Sequence, residues 1–471
     1  MEKNIVADLE RNRQYFDREL CVDKNFDIIV RPTTIAEQKA CYYFIDGFVK
    51  DDIMEKLLEF FYSLTPEDLP ENSEELSKDS IPYVEVDLLQ TKEEILTAIL
   101  SGVLCFFIDG YDRCFAIDCR TYPMRSVDEP DKDKVLRGPR DGFVETVVFN
   151  TAMIRRRIRS PKLAMEMNSV GETSKTDVVL CYMEDRADKE FLRKIKQRLE
   201  DICTDALAMN QESLAECLYP RKWYNPFPKF KYTERPDTAA AELLDGKIVL
   251  LTDNSPAVLI LPVSIFDVME EADDYYFPPV TGTYLRVTRL AIAFLTLLLT
   301  PTWMLLMQNP QWIPDYLAFI RIEDAMNVPI FVQLILLEFA IDGLKLAAIN
   351  TPGMLTTPLS VIAGLVVGEF AVKSGWFNSE TMLYMAFVAI ANYTQASYEL
   401  GYALKFMRLI LLVCTAAFNL YGYVAGLLLV FLFILTNKTV AGQSYLYPLI
   451  PFNAKQLARR VLRKRIRFEY E

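Results

Sequence analysis

Uneven charge is the feature that most constrains how this chain can fold. Up to about Ile265 acidic and basic residues are dense and interleaved, whereas from Val287 to Pro451 they are sparse. One globular domain does not segregate charge in this way; a water-soluble region fused to a membrane-embedded one does. The hydrophobic content of 51% averages the two regimes. A length of 471 residues accommodates roughly three domains at about 150 residues each.

The charged part alternates strand and helix signals. "FDIIVRP", "KACYYFID" and "PYVEVDLL" read as strands, and "GVLCFFIDGYDRCFAID" as a hairpin turning at Asp-Gly. "KDDIMEKLLEFFYSL" carries apolar residues at helical spacing, and "TKEEILTAIL" reads as a helix opened by Thr91. After the charged stretch "SVDEPDKDKV" a second set follows. "RDGFVETVVFNTAMIRRRIRS" and "DKEFLRKIKQRLEDI" read as helices, "KTDVVLCYM" as a buried strand, and "GKIVLLTDNSPAVLILP" as two strands around a turn. No internal repeat is visible.

The apolar part holds four clear segments and one ambiguous one: Val287–Met307, Val328–Ile349, Thr356–Val372, Met382–Leu400 and Leu409–Leu435. The last, with Asn419, Gly422 and Gly426, reads either as one tilted span or as a broken hairpin. Lys and Arg set the orientation. Arg286 and Arg289 before the first span, Lys405 and Arg408 after the fourth, and the tail "AKQLARRVLRKRIR" all read as cytosolic, which requires an even number of crossings.

The expected fold is thus an α/β soluble region of two subdomains followed by an all-α multipass membrane domain. Its parts are an N-terminal α/β subdomain (1–125), a charged linker (126–136), a second α/β subdomain (137–270) and a juxtamembrane junction (271–286). A membrane domain of four to six spans (287–436) and a basic cytosolic tail (437–471) complete it. "MEKNIVADLERNRQYFDREL" is too charged for a signal peptide, so the soluble region is expected in the cytosol.

Several function classes are disfavoured. The chain has no histidine, the commonest general base and metal ligand. It shows no phosphate loop or nucleophile motif, and the nine cysteines lack metal spacing. A net charge of −13 argues against nucleic acid. No enzyme activity, cofactor or metal is expected. A secondary transporter would show two related membrane halves, and none are visible.

The layout, together with "VLRGPRDGFVETVVFNTAMIRRRIRSPKL", "DDYYFPPVTGTYLR", "NTPGMLTTPLSVIAGLVVGE" and "YPLIPFNAKQLARRVLR", resembles the GerA family of spore germination proteins, the A-subunit type. The resemblance covers nearly the whole chain. It implies a multipass protein of the spore inner membrane that assembles into an oligomeric, homomeric ion channel. It further implies a small integral-membrane partner protein and release of monovalent cations during germination. Two alternatives fit the same resemblance: a germinant-receptor A subunit gated by a nutrient-sensing partner, and a non-conducting scaffold for germination receptors.

Four constellations then stand out, each with a structural and a functional reading. Glu338, Asp342 and Lys345 share one helical face, as an internal ion bridge or as a pore lining. Asn392, Gln395 and Glu399 share another, as polar glue or as a hydrated cation path. Glu369 stands beside the Gly364–Gly368 pair, whose spacing suits close helix packing. Arg137 and Arg140 with Arg155, Arg156 and Arg157 could contact the next subunit or anionic lipid, while Asp141 could cap the following helix. In the junction, Asp273 and Asp274 would form an exposed negative collar at the inner mouth of a ring. Tyr275 and Tyr276 would lie at the interface, and Pro278 and Pro279 would stiffen a strut to the first span.

Overall fold

In a computed structural model the described residues are 3–70, 72–77, 81, 85–120, 135–220, 222–322, 324, 326–351, 361 and 364–463. Nearly all of the expected charged linker and the first part of the third apolar segment lie outside them, as do Lys464, Arg465 and Arg467. The chain forms two compact units, Met1–Arg221 with Phe230–Pro262, and Lys222–Lys229 with Val263–Glu471.

The first unit contains two five-stranded sheets, all of whose neighbouring strands are antiparallel. The first holds β1 (Ile28–Ile35), β2 (Gln38–Ile45), β3 (Val86–Leu89), β4 (Leu104–Ile108) and β5 (Cys114–Ile117), in the order β1-β2-β4-β5-β3. The second holds β6 (Leu163–Val170), β7 (Thr176–Met183), β8 (Lys231–Thr233), β9 (Ile248–Thr252) and β10 (Val258–Leu261), in the order β6-β7-β9-β10-β8. Successive strand residues point to opposite faces. Tyr42 and Phe106 therefore stack at 4.3 Å in the core on one side of the first sheet, and Tyr43 and Phe107 join Phe16 in the core on the other. Helices cover both faces, which is why β2 and β4 are nearly continuous apolar runs.

The two orders are one topology used twice, which overturns the expectation of no internal repeat. The copies share local devices at matched spacing. Asn12 clasps the backbone of Val6 in the first copy, and Asn150 clasps Val144 in the second, each with one bond in either direction. The Asp109 carboxylate accepts from the Leu9 amide at 2.9 Å and starts one helix (Leu9–Glu19); Asp253 accepts from Val147 at 3.1 Å and starts its counterpart (Val147–Arg157). The next residues, Gly110 and Asn254, both have positive φ and donate to Ala7 and Glu145. Helices Lys92–Leu100 and Pro236–Leu244 each end two residues before a left-handed glycine, Gly102 or Gly246.

These bonds revise one expected cap. Asp253, not Asp141, holds the start of the 147–157 helix, and Asp141 pairs with Arg157 at 2.5 Å instead. Arg155, expected as a subunit or lipid contact, is fully buried. It bonds Asp27 at 2.8 and 2.9 Å and the Leu163 carbonyl at 3.0 Å, joining the two lobes. Arg137, Arg140 and Arg156 are exposed.

Cysteine burial gives a direct test of this packing. Cys41, Cys105, Cys114, Cys119 and Cys181 are buried, whereas Cys203 and Cys217 are exposed. Burial pushes the Cys41 thiol up to about 12 and the Cys119 thiol to about 11, so mild alkali does not activate them. A disulfide reagent at pH 8 should label Cys203 and Cys217 quickly and the five buried thiols only after denaturant is added. Mass spectrometry of the native protein showing modified Cys41 or Cys181 would contradict the fold.

The second unit is helical. Its principal elements are Pro279–Gln308, Ile330–Asn350, Ser379–Tyr393, Tyr398–Leu435 and the short tail helix Ala454–Val461. Two of them, Pro279–Gln308 and Tyr398–Leu435, are long and apolar enough to cross a membrane. The fourth expected segment, Met382–Leu400, is interrupted: its helix stops at Tyr393 and a new one begins at Tyr398. The long helix Tyr398–Leu435 is broken at Asn419, where φ is 52° and ψ is −131°. The chain doubles back there into arms of roughly 30 and 24 Å. Small residues allow the arms to meet. A Cβ on Gly422 would overlap the Cys414 carbonyl, and one on Gly426 would lie 2.8 Å from Leu411. Of the two readings of residues 409–435, the hairpin is the one observed. The other glycine pair behaves differently, since a Cβ on Gly364 or Gly368 meets nothing within 4 Å.

Candidate functional site

Two charge clusters organise the helical unit. The first lies between apolar helices. Glu338 is 5% exposed and binds Arg408, itself 2% exposed, through a carboxylate–guanidinium bond. Lys405 reaches Glu338 at 3.2 Å and also binds Asp342. Arg408 donates to the Thr296 carbonyl at 3.0 Å, which fastens the cluster to the first long helix. Glu338 and Asp342 are four residues apart and Lys405 and Arg408 three, so each helix presents one stripe of charge to the other.

Lys345, the third residue of the expected stripe, does not pair with Asp342. Its ammonium sits 4.6 Å from the Tyr393 ring centroid and 5.7 Å from that of Tyr402. With its amide turned to satisfy both neighbours, Asn392 accepts from Lys345 at 3.1 Å and donates to the Gly401 carbonyl at 3.1 Å. Asn392 thus joins the edge of the Glu338 cluster. Gln395 is different: both of its amide atoms are buried without a hydrogen-bond partner among the described residues. Glu399 is half-buried; burial, with a smaller push from the Glu399 carboxylate, holds the Tyr445 hydroxyl well above the usual tyrosine range. Glu369 stands apart, exposed and paired with Lys373 one turn on.

Lys405 and Arg408 were expected only as cytosolic charges after the fourth segment, not as partners of Glu338; they lie inside a helix, buried against it. The signal was available, because two complementary stripes on two apolar segments invite pairing.

The second cluster surrounds the junction and alters the expected collar. Asp274 is fully buried, 3.0 Å from Arg289 and 3.4 Å from Arg286. Arg286 also meets Glu270 at 2.6 Å, and Arg289 meets Glu271 at 2.6 Å. The tail completes the cluster: Arg460 bonds Asp267 and Glu270 at 2.6 Å each, and Arg463 bonds the Tyr275 and Phe277 carbonyls. Gly282 lets these groups close, since a Cβ there would strike the Asp274 carbonyl and the Arg463 side chain. Asp273 and Tyr276 are half-buried, and Tyr275 is half-exposed beneath the Arg286 guanidinium at 4.8 Å. Pro278 caps the first long helix and Pro279 is its first residue, so the prolines start that helix instead of forming a separate strut.

A buried ion pair resists salt and tolerates loss of one partner poorly. Asp274→Asn should therefore destabilise the helical unit by about 3 kcal/mol, to the same extent at 0.1 and 1 M salt. Thermal unfolding of the purified variant measures this. An unchanged midpoint, or an effect that fades with salt, would restore the exposed collar.

A doubled α/β region is thus followed by a helical unit with buried, paired charges and two helices long and apolar enough to cross a membrane. The chain belongs to the Bacillus/Clostridium GerA spore germination protein family, whose profile spans residues 15–470. It is 35% identical over 449 residues to stage V sporulation protein AF of Bacillus subtilis (strain 168), across 95% of this chain and 90% of that one. It is 29% identical over 428 residues to spore germination protein A1 of the same organism, across 90% and 88% of the two chains. The N-terminal domain of the A subunit of the Bacillus megaterium spore germinant receptor GerK3, known as a crystal structure, is 25% identical. Its TM-score is 0.44, covering 56% of this chain and 97% of that domain.

Proposed function

We propose that the chain is a non-enzymatic membrane subunit acting in spore germination. In this reading it forms a homo-oligomeric ring with a small integral-membrane partner in the spore inner membrane and conducts monovalent cations. The observation that carries the reading is the network of Glu338, Asp342, Lys405 and Arg408 held between apolar helices. An ionisable group at bilayer depth costs about 2.5–3.5 kcal/mol even on insertion scales, so a mere anchor would not retain four. The Gln395 amide, buried without a hydrogen-bond partner among the described residues, supports a place for water in this unit. Family membership supports the role in germination.

The hairpin supports an even number of crossings. Its tip residue Asn419 is bonded to Asn309, at the far end of the first long helix, while Arg463 bonds Thr283 at the near end. In this reading the α/β region and the tail share the cytosolic, spore-core side, where the exposed Arg137 and Arg140 can meet anionic lipid.

Cation efflux from liposomes loaded with potassium and carrying the purified protein tests the reading. Glu399→Gln should lower the flux without changing assembly. One observation favours a second reading. Glu338 and Asp342 are already neutralised within the chain by Lys405 and Arg408, as suits a non-conducting scaffold for germination receptors. Assembled protein that passes no potassium, alone or with its membrane partner, would select the scaffold.

A further inference from the structure

We infer that the loop Lys222–Lys229 is a membrane-interface anchor, with Trp223 and Tyr224 seated between lipid headgroups and acyl chains. The inference rests on the membrane reading of the helical unit. The loop belongs to that unit although the chain on both sides of it belongs to the other. Tyr224 and Phe227 both pack on Phe433, with ring centroids 6.3 and 6.2 Å away. Phe433 lies at the end of the apolar return arm, where Leu435 closes the helix and Thr436, Asn437 and Lys438 follow. Apolar sequence gives way to polar sequence at that level.

The polar half of the loop meets the polar side of this boundary. Asn225 donates to the Asn437 side chain at 3.0 Å, and the Lys229 ammonium bonds the Asn437 side chain and the Lys438 carbonyl. The aromatic half projects. Trp223 is 95% exposed and lies edge-on to Tyr224 at 5.9 Å, and the Lys222 ammonium is 5.9 Å from the Tyr224 centroid. An indole this exposed is poorly placed in water and well placed at a bilayer interface, which accepts its ring and its N–H together. Lys222 beside it suits anionic headgroups. Continuity with the apolar arm through Phe433 selects lipid over a protein partner as the occupant.

The test uses the full chain in phosphatidylcholine–phosphatidylglycerol vesicles. Subtracting the emission of Trp223→Phe from that of the unmodified protein isolates Trp223 from Trp303, Trp312 and Trp376. Phosphatidylcholine with a nitroxide high on its acyl chain should remove most of this difference emission, a nitroxide near the chain end should remove less, and aqueous acrylamide little. Difference emission lost to acrylamide and indifferent to both nitroxides overturns the anchor. The remaining emission of Trp223→Phe reports separately on the helices. If lipid nitroxides quench it while the difference emission does not respond, the anchor alone fails; if they do not quench it either, the membrane reading falls as well.

Discussion

Replacing Glu338 with glutamine is expected to cost about 3–5 kcal/mol of stability, because it strands Arg408 in a buried site. Arg408 is 2% exposed and fixed to the Thr296 carbonyl, so its guanidinium cannot swing out to water. Lys405 keeps Asp342, but Arg408 loses the carboxylate that neutralises it. The double variant Glu338→Gln, Arg408→Met removes both charges and should recover most of the loss, since an apolar pair of similar volume replaces a buried ion pair at little cost. Thermal midpoints in detergent for the three proteins decide the matter. Equal midpoints for the unmodified protein and Glu338→Gln would mean that water reaches the cluster freely, which would favour a hydrated path over a helix clamp.

Gly422→Leu should open the hairpin. A side chain at 422 cannot coexist with the Cys414 carbonyl, and the neighbouring approach at Gly426 allows no compensating slide. The arms must separate, and the backbone at Asn419, held at positive φ, is then free to return to helix. Overpacking of this kind typically costs 1–3 kcal/mol, and more where the obstacle is backbone. One continuous helix would place the residues after Leu435 on the opposite face of the membrane. A cysteine introduced at Gln443 should be shielded from an impermeant thiol reagent outside intact cells, and become labelled when Gly422→Leu is added. The same labelling with and without the leucine would mean that the hairpin does not set the topology.

Much of the extramembrane fold was legible. Strands such as "KACYYFI" and the helix opened by Thr91 follow from local pattern, and structure and sequence agree on them. The duplication was not legible, because it resides in strand order and in a few clasping residues such as Asn12 and Asn150, while the surrounding side chains differ. The collar failed for a related reason. Asp274 and Arg289 are fifteen residues apart across a Pro-Pro turn, and neither helical nor strand periodicity relates residues at that separation. The same blindness put the start of the first long helix at Val287, whereas Pro279 begins it and Gly282 is its point of closest approach. Within the apolar region the pattern located Glu338 and Asp342 on one face and left their partners open, since pairing across helices is a property of the packed bundle.

The docking of the tail on the junction also sets a timetable. Arg460 reaches Glu270 across 190 residues of chain, and Arg463 reaches Thr283 across 180. At synthesis rates of about 5–20 residues per second, the acidic junction leaves the ribosome roughly 10–40 s before the arginines that close it. During that interval the base of the first long helix lacks the bonds that Arg460 and Arg463 supply. The bundle is therefore sealed by residues made long after its base, and a chain interrupted before Arg460 would carry an open acidic seam by which it could be told from one that has passed that point.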